Sequence, residues 1–435
     1  MNKTPREQRG QARVKTPQRS QVEMQFLSLD QWLDKDHRAR IVWQYAESID
    51  LSELYDRVKA TRSNVGRDAI DPRILFALWL LATIEGFTSA RRLADLTTRD
   101  IPYMWICGGV SVNYHRLSDF RVDHGDLLEQ IMIDSIGVLL HQDLVTLETV
   151  AQDGMRVRAS AGSSSFRRDK TLTECLTEAK EHLKELTDQN AKDPSGDERR
   201  ATAAAHRASR EKVERLTRAK EELAEINEQR KKNRIKPKTK EARASTTDPE
   251  ARQMKMGDGG FRPAFNVQFA TDGLTRLIVE VDVVSAGADQ GQMGPVHQKI
   301  CDDYDKTPDN YLVDGGFSAT DDIVRVEQRG TKVHGVIQNE QKQLDQGKDP
   351  YAAKKADAPQ MAAFRARMGT IEGKQKYSQR AGIAEFSNAE SRNRGLIQFR
   401  VRGRVKAKAQ TLWHALAHNF NRFCHLECLE VVMAG

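Results

Sequence analysis

Leu144-Val-Thr-Leu-Glu-Thr-Val-Ala-Gln-Asp-Gly154 is where this 435-residue chain changes its period. Before it, from Leu27 to Gln142, apolar residues recur at helical spacing. From Val145 to Gln152, β-branched residues gather in a run too short for a helix. The run ends on Asp153-Gly154, a turn dipeptide, which predicts a strand closing at Gln152 with a carboxylate at its tip. β-rich stretches follow at Phe261–Thr271, Leu277–Val284, Tyr311–Val313 and Val333–Gln338, with helical segments near 289–303 and 318–329. Three strands, a helix, a strand, a helix and a strand predict a mixed α/β sheet.

The first strand is separated from the second by a long interruption. Leu172, Leu176, Ala179, Leu183 and Leu186 recur in alternating steps of four and three, a coiled-coil seam. Asn190-Ala-Lys-Asp-Pro-Ser-Gly-Asp197 breaks it, and Val213, Leu216, Ala219, Leu223 and Ile226 form one stripe of a second long helix. Residues 170–245 therefore read as an inserted antiparallel helical hairpin with a basic loop, Lys231–Lys240. The leucine stripe is assigned to this hairpin and not to a dimer zipper, because its partner helix follows in the same chain.

Upstream, Asp71-Pro72 makes a cap and first-turn pair for an apolar helix over 72–84, and Ser89 caps the next. Asn113-Tyr-His-Arg-Leu-Ser-Asp-Phe-Arg121 leads into a helix at 124–141. Short helices joined by tight turns over 25–142 suit a DNA-reading domain of helix-turn-helix type, with Arg116 and Arg121 as its candidate DNA contacts, or a bundle that only packs. Residues 1–24 read as a disordered basic arm or an ordinary frayed terminus.

The net charge of +7, from 69 Lys+Arg against 62 Asp+Glu, favours an anionic partner only through its placement. The first twenty residues lack the apolar core of a signal peptide, and the longest apolar run, Ile74–Ile84, is about half the length that spans a bilayer. Five cysteines without a CxxC pair suit a reducing, cytoplasmic compartment. A soluble protein with no membrane partner is expected.

Two carboxylates stand at predicted strand ends, Asp153 and Asp314, each followed by glycine. Oxygen ligands of this kind suit Mg²⁺ or Mn²⁺ better than zinc. A third ligand is sought in Tyr377-Ser-Gln-Arg-Ala-Gly-Ile-Ala-Glu385-Phe-Ser-Asn-Ala-Glu390-Ser-Arg392. As one helix, this segment aims Glu385 at the metals and Arg380 and Arg392 at phosphates. Glu390 competes for the role, and residue chemistry alone does not choose between the two. His414/His418 and Cys424/Cys428 have metal-ligand spacing, but they sit in an apolar packing helix and are read as core. Gly257-Asp-Gly-Gly260 lacks the strand-to-helix context of a phosphate loop.

Asp153-Gly, Asp314-Gly-Gly-Phe317 and Tyr377-x-x-Arg380-x-x-x-x-Glu385, with a basic residue at 392, resemble the signature of DDE-type insertion-sequence transposases carrying the Tyr-Arg-Glu-Lys motif. Arg392 stands where that motif has lysine. Leu27–Val42, Ala69–Arg121 and Arg252–Asn266 resemble other segments of the family in matching order. The resemblance implies an RNase H-like catalytic domain split between 143–169 and 246–435, in which Asp153, Asp314 and Glu385 hold two Mg²⁺ or Mn²⁺ ions. It implies cleavage of terminal inverted repeats and joining of their 3′-hydroxyls to target double-stranded DNA, with Tyr377, Arg380 and Arg392 gripping phosphates. Synapsis of two ends implies a homodimer, in a bacterial cytoplasm. An inactive DNA-binding repressor and a nuclease without joining activity are the competing readings.

Overall fold

The strand that follows Leu144 does not close at Asp153. It runs as β1 (Thr149–Arg158), straight through Asp153-Gly154, in the computed structural model, which describes residues 17–20, 22, 24, 26–58, 60, 68–192, 198–232 and 241–434. The expected turn is absent because Gly154 is extended backbone, paired to Gln268, and its missing side chain makes room for a neighbour instead.

Ahead of β1 lie α1 (Leu29–Trp32), α2 (Arg38–Ser48), α3 (Ser52–Asp56), α4 (Pro72–Ile84), α5 (Ala90–Leu96), α6 (Ile101–Cys107), α7 (Tyr114–Asp123) and α8 (Gly125–His141). The expected punctuation is present. The Asp71 carboxylate accepts from the Arg73 amide with Pro72 in the first turn, and the Ser89 hydroxyl accepts from the Arg92 amide. All of α4 except Arg73 is buried, so it is the core of the helical region and not a surface reader.

β1 is followed by β2 (Phe166–Arg167), α9 (Asp169–Lys192), α10 (Glu198–Lys232), β3 (Ala244–Ser245), β4 (Arg252–Lys255), β5 (Phe261–Asp272) and β6 (Ile278–Val284). Then come α11 (Met293–Tyr304), β7 (Asn310–Leu312), α12 (Thr320–Glu327) and β8 (Lys332–His334). The chain ends with α13 (Glu340–Asp345), α14 (Pro359–Gly369), α15 (Ile371–Ser378), α16 (Arg380–Asn393), α17 (Arg404–His425) and α18 (Leu429–Ala434).

The main sheet has the order β4-β5-β1-β7-β8, with β6 also paired to β5. β1 is antiparallel to β5 and parallel to β7, and β7 is parallel to β8, so the expected mixed α/β sheet is present. Between β1 and β4 the chain leaves to make α9 and α10. These pack through Leu172, Ala179, Leu216, Ala219 and Leu223 into a separate small core. The ion pair from Glu222 of α10 to Arg252 of β4 ties that hairpin back to the sheet. Most of the arm expected over 1–24 and all of the basic loop after Lys232 up to residue 240 fall outside the described residues.

α17 joins the halves. Its buried residues include Leu412, Trp413, Leu416 and Phe420, and Trp413 packs on Phe76 of α4 with ring centroids 5.3 Å apart. Asn419 hydrogen-bonds both the amide and the carbonyl of Ile278, satisfying the outer edge of β6. The helices before β1 and the sheet thus share one hydrophobic core. No described helix is long and apolar enough to cross a membrane.

Candidate active site

Parallel pairing sets two aspartates side by side. Val150 pairs with Tyr311 and Ala151 with Leu312, so two residues further along both chains stand Asp153 and Asp314. β7 stops there, and the Asp314 carboxylate turns to accept a hydrogen bond from the Gly316 amide at 2.8 Å, opening a 3₁₀ turn over Gly315–Phe317. β1 continues, so the carboxylates lie where neighbouring strands part.

α16 brings Glu385 to the same guanidinium that faces Asp153. Ile383 and Ala384 pack on Ala151 and Leu312, the Ser387 hydroxyl pairs with that of Thr271, and Asn388 Nδ2 donates to Asp153 Oδ2 at 2.8 Å. These contacts recur at helical spacing, and they dock one face of α16 on the side of the sheet that carries Asp153. Arg380, in the first turn, lies between two acids: Nη1 is 3.9 Å from Asp153 Oδ1 and Nη2 is 3.7 Å from Glu385 Oε1. The Glu385 side chain is 66% exposed. Glu390 points elsewhere, to His418 Nδ1 at 2.7 Å and Arg394 Nη1 at 3.2 Å, and despite burial these two hold its pKa low. Only Glu385 shares a guanidinium with Asp153.

The segment from Tyr377 to Arg392 was expected as one helix, but it is two. α15 ends at Ser378 and α16 begins at Arg380, with Gln379 between them. Tyr377 is half-buried against the main core, while Arg392 is exposed in the last turn of α16. Arg116 is exposed on α7. Arg121, expected at a DNA surface, is instead buried. Its Nη1 donates to the Thr88 carbonyl at 2.7 Å, its guanidinium covers Trp79, and burial pushes its pKa down to about 10. His418, set aside as a metal ligand on sequence grounds, uses both ring nitrogens, on Glu390 and the Arg276 carbonyl.

One acid of the site had no sequence signal. Asp289, on the loop before α11, is 9% exposed and sits beside Gly154 so closely that a Cβ there would lie 2.0 Å from its Oδ1. Asn266 Nδ2 and Gln268 Nε2 donate to that oxygen at 2.7 and 3.0 Å. Burial is the chief cause that pushes the Asp153 carboxyl up to about 6; Arg380 opposes it, and the charges of Asp314 and Asp289 add to it.

Among the described residues, no three Asp, Glu, His or Cys side chains close into a cation cage. The donor set nonetheless fits a hard divalent ion, because every candidate ligand is a carboxylate oxygen. The surroundings are also left open: Arg380 Nη1, Asn388 Oδ1, Asn266 Oδ1 and Arg156 Nε are buried without a hydrogen-bond partner. Four polar atoms wanting partners around clustered carboxylates are what a site completed by ions, water or phosphate presents.

With that geometry in view, two family models match the chain: a transposase domain (DUF772) over residues 27–123 and a transposase DDE domain over residues 347–424. Both matches are to transposase domains, and together they support an insertion-sequence transposase of the DDE type. Glu385 lies inside the second match, whereas Asp153 and Asp314 lie in the stretch that neither match covers. No curated protein and no solved structure matches the chain.

Proposed function

We propose that this transposase cleaves the ends of its element and joins the freed 3′-hydroxyls to target DNA at the Asp153, Asp314 and Glu385 cluster. The observation that carries this is the strand register: it sets Asp153 beside Asp314 where β1 and β7 part, and α16 adds Glu385 through a shared Arg380. The strand order β6-β5-β1-β7-β8, three antiparallel strands followed by two parallel ones, supports an RNase H-like catalytic domain interrupted by the α9–α10 hairpin.

When bound by the three carboxylates, Mg²⁺ or Mn²⁺ ions supply the charge that ionises the nucleophile's hydroxyl and neutralises the leaving oxygen. The chain's own residues do the rest. Asn388 fixes the Asp153 carboxylate by its 2.8 Å hydrogen bond. Arg380, held loosely at 3.7–3.9 Å from two acids, is free to exchange them for a phosphate oxygen, a geometry its planar fork suits. Exposed Arg392, two helical turns beyond Glu385 on α16, extends that cationic face toward the DNA backbone, and Tyr377 lies at its other end.

The test is an in vitro reaction with paired terminal-repeat ends, a target plasmid and Mg²⁺. Strand-transfer products from the wild type, and none from Asp153→Asn, are expected. Cleaved ends without joining would replace this reading by a nuclease. End binding with neither reaction would replace it by a repressor.

A further inference from the structure

We propose that Asp289 is a fourth carboxylate of this active site, presented from the opposite face of the sheet through the gap that Gly154 leaves in β1. The inference rests on reading Asp153, Asp314 and Glu385 as cation ligands, and it extends that set by a residue from a different element.

Successive residues of a strand point to opposite faces. Ala151 and Asp153 face α16, while Gln152 Nε2 reaches the Gln292 carbonyl ahead of α11, so Gly154 faces the α11 side. There Asp289 fills the space a side chain at 154 would take. A Cβ on Gly154 would meet Asp289 Oδ1 at 2.0 Å, and one on Gly316 would meet Asp289 Oδ2 at 3.4 Å and Asp314 Oδ1 at 3.0 Å. The second oxygen of Asp289 and the carboxylate of Asp314 thus both crowd the space beside one glycine. Two glycines at these points let three acids from three elements approach one gap.

Ordinary structural duties do not account for Asp289. It does not cap α11, whose N-cap is Gln292. Buried Glu222 holds the Arg252 guanidinium, while buried Asp248 and Asp272 accept from backbone amides. Asp289 is instead gripped through one oxygen by two neutral amides, and its nearest cation, Arg156, is 3.7 Å from the other. Amides fix its direction without cancelling its charge. Among the described residues, ion pairs to these four carboxylates come from Arg380 and Arg156, which leaves the gap two positive charges short, a deficit that a divalent cation meets.

Calorimetric titration of the full-length protein with Mn²⁺, without DNA, tests this beside thermal melting of the metal-free protein. Asp289→Asn keeps an acceptor for Asn266 and Gln268, so its metal-free melting should match the wild type, while Mn²⁺ binds roughly 10–100-fold more weakly. Gly316→Ala, at an exposed position, should also weaken Mn²⁺ by wedging between the two acids, which keeps the test open if the first variant folds poorly. Unchanged Mn²⁺ affinity in both variants, or lowered melting in Asp289→Asn with affinity intact, overturns the proposal. Asp153→Asn separates the two readings. If wild type binds Mn²⁺ and Asp153→Asn does not, while Asp289→Asn binds normally, only this inference falls. If wild type binds none, the cation reading falls and takes this one with it.

Discussion

Replacing Gly154 by alanine puts one methyl group into the most crowded point of the site. The new Cβ would lie 2.0 Å from Asp289 Oδ1 and 2.8 Å from Gln268 Nε2. Carbon and oxygen need more than 3 Å, so the Asp289 carboxylate must move by over 1 Å, and the backbone of a central strand cannot yield instead. That displacement breaks or stretches the hydrogen bonds from Asn266 and Gln268. Each bond to a charged group contributes about 1.5–3 kcal/mol. Alanine recovers about 0.4–1 kcal/mol by restricting the unfolded chain. A net loss of about 3 kcal/mol follows. Urea denaturation monitored by tryptophan fluorescence should show a clearly lowered midpoint. Gly137→Ala in α8, where a Cβ meets nothing within 4 Å, is the control and should gain up to about 1 kcal/mol. In a double-mutant cycle, Asp289→Ala should remove most of the cost of Gly154→Ala, a coupling of about 2 kcal/mol, and the contact with Gln268 accounts for the remainder. A Gly154→Ala protein as stable as wild type, or an additive cycle, would refute the placement of Asp289 against β1.

Arg121→Ala should cost about 2–3 kcal/mol of stability by removing the bond to Thr88 and the stacking on Trp79, with DNA affinity of the folded protein unchanged in a salt-titrated binding assay. Glu385→Gln should abolish strand transfer and leave melting intact, whereas Glu390→Gln should lower melting through His418 and Arg394 and keep strand transfer. Asp248 is buried with one oxygen unpartnered, and burial pushes its carboxyl up to about 6 despite the hydrogen bond from the Gly403 amide. A raised folded pKa favours the folded state below the unfolded value near 4, and that advantage is lost as pH rises through 6. Asp248→Asn should therefore gain roughly 3 kcal/mol on the wild type between pH 4 and pH 7.5, measured by denaturation at each pH.

The local rules of sequence carried α4, α5 and the alternation of strands and helices after residue 260, because caps, proline and apolar period act within a few residues. They failed at β1 for an instructive reason. Asp-Gly reads as a turn from its neighbours in sequence, but Gly154 is glycine because of Asp289, 135 positions away and invisible to any window. The same limit hid the break at Gln379 between α15 and α16, where each helix is set by its own packing partners, α14 with β8 for one and β1 with β5 for the other. Asp153, Asp314 and Glu385 were legible as candidates through their motif. That Arg380 and Asn388 address Asp153, and that Glu390 belongs to His418, became visible only once α16 was docked on the sheet. Arg121 misled because a basic residue in a polar helical turn reads as surface until Trp79 and Trp413 close around it.

Iron-directed cleavage of the protein backbone tests the central claim most directly. Fe²⁺ can replace Mg²⁺ in an all-oxygen site, and with ascorbate and peroxide it cuts the chain only near where it is held. Cuts near residues 153, 314 and 385, suppressed together by excess Mg²⁺ and by Asp153→Asn, are the expected pattern. Scattered cuts that Mg²⁺ does not suppress, or a single cluster away from these positions, would contradict the account.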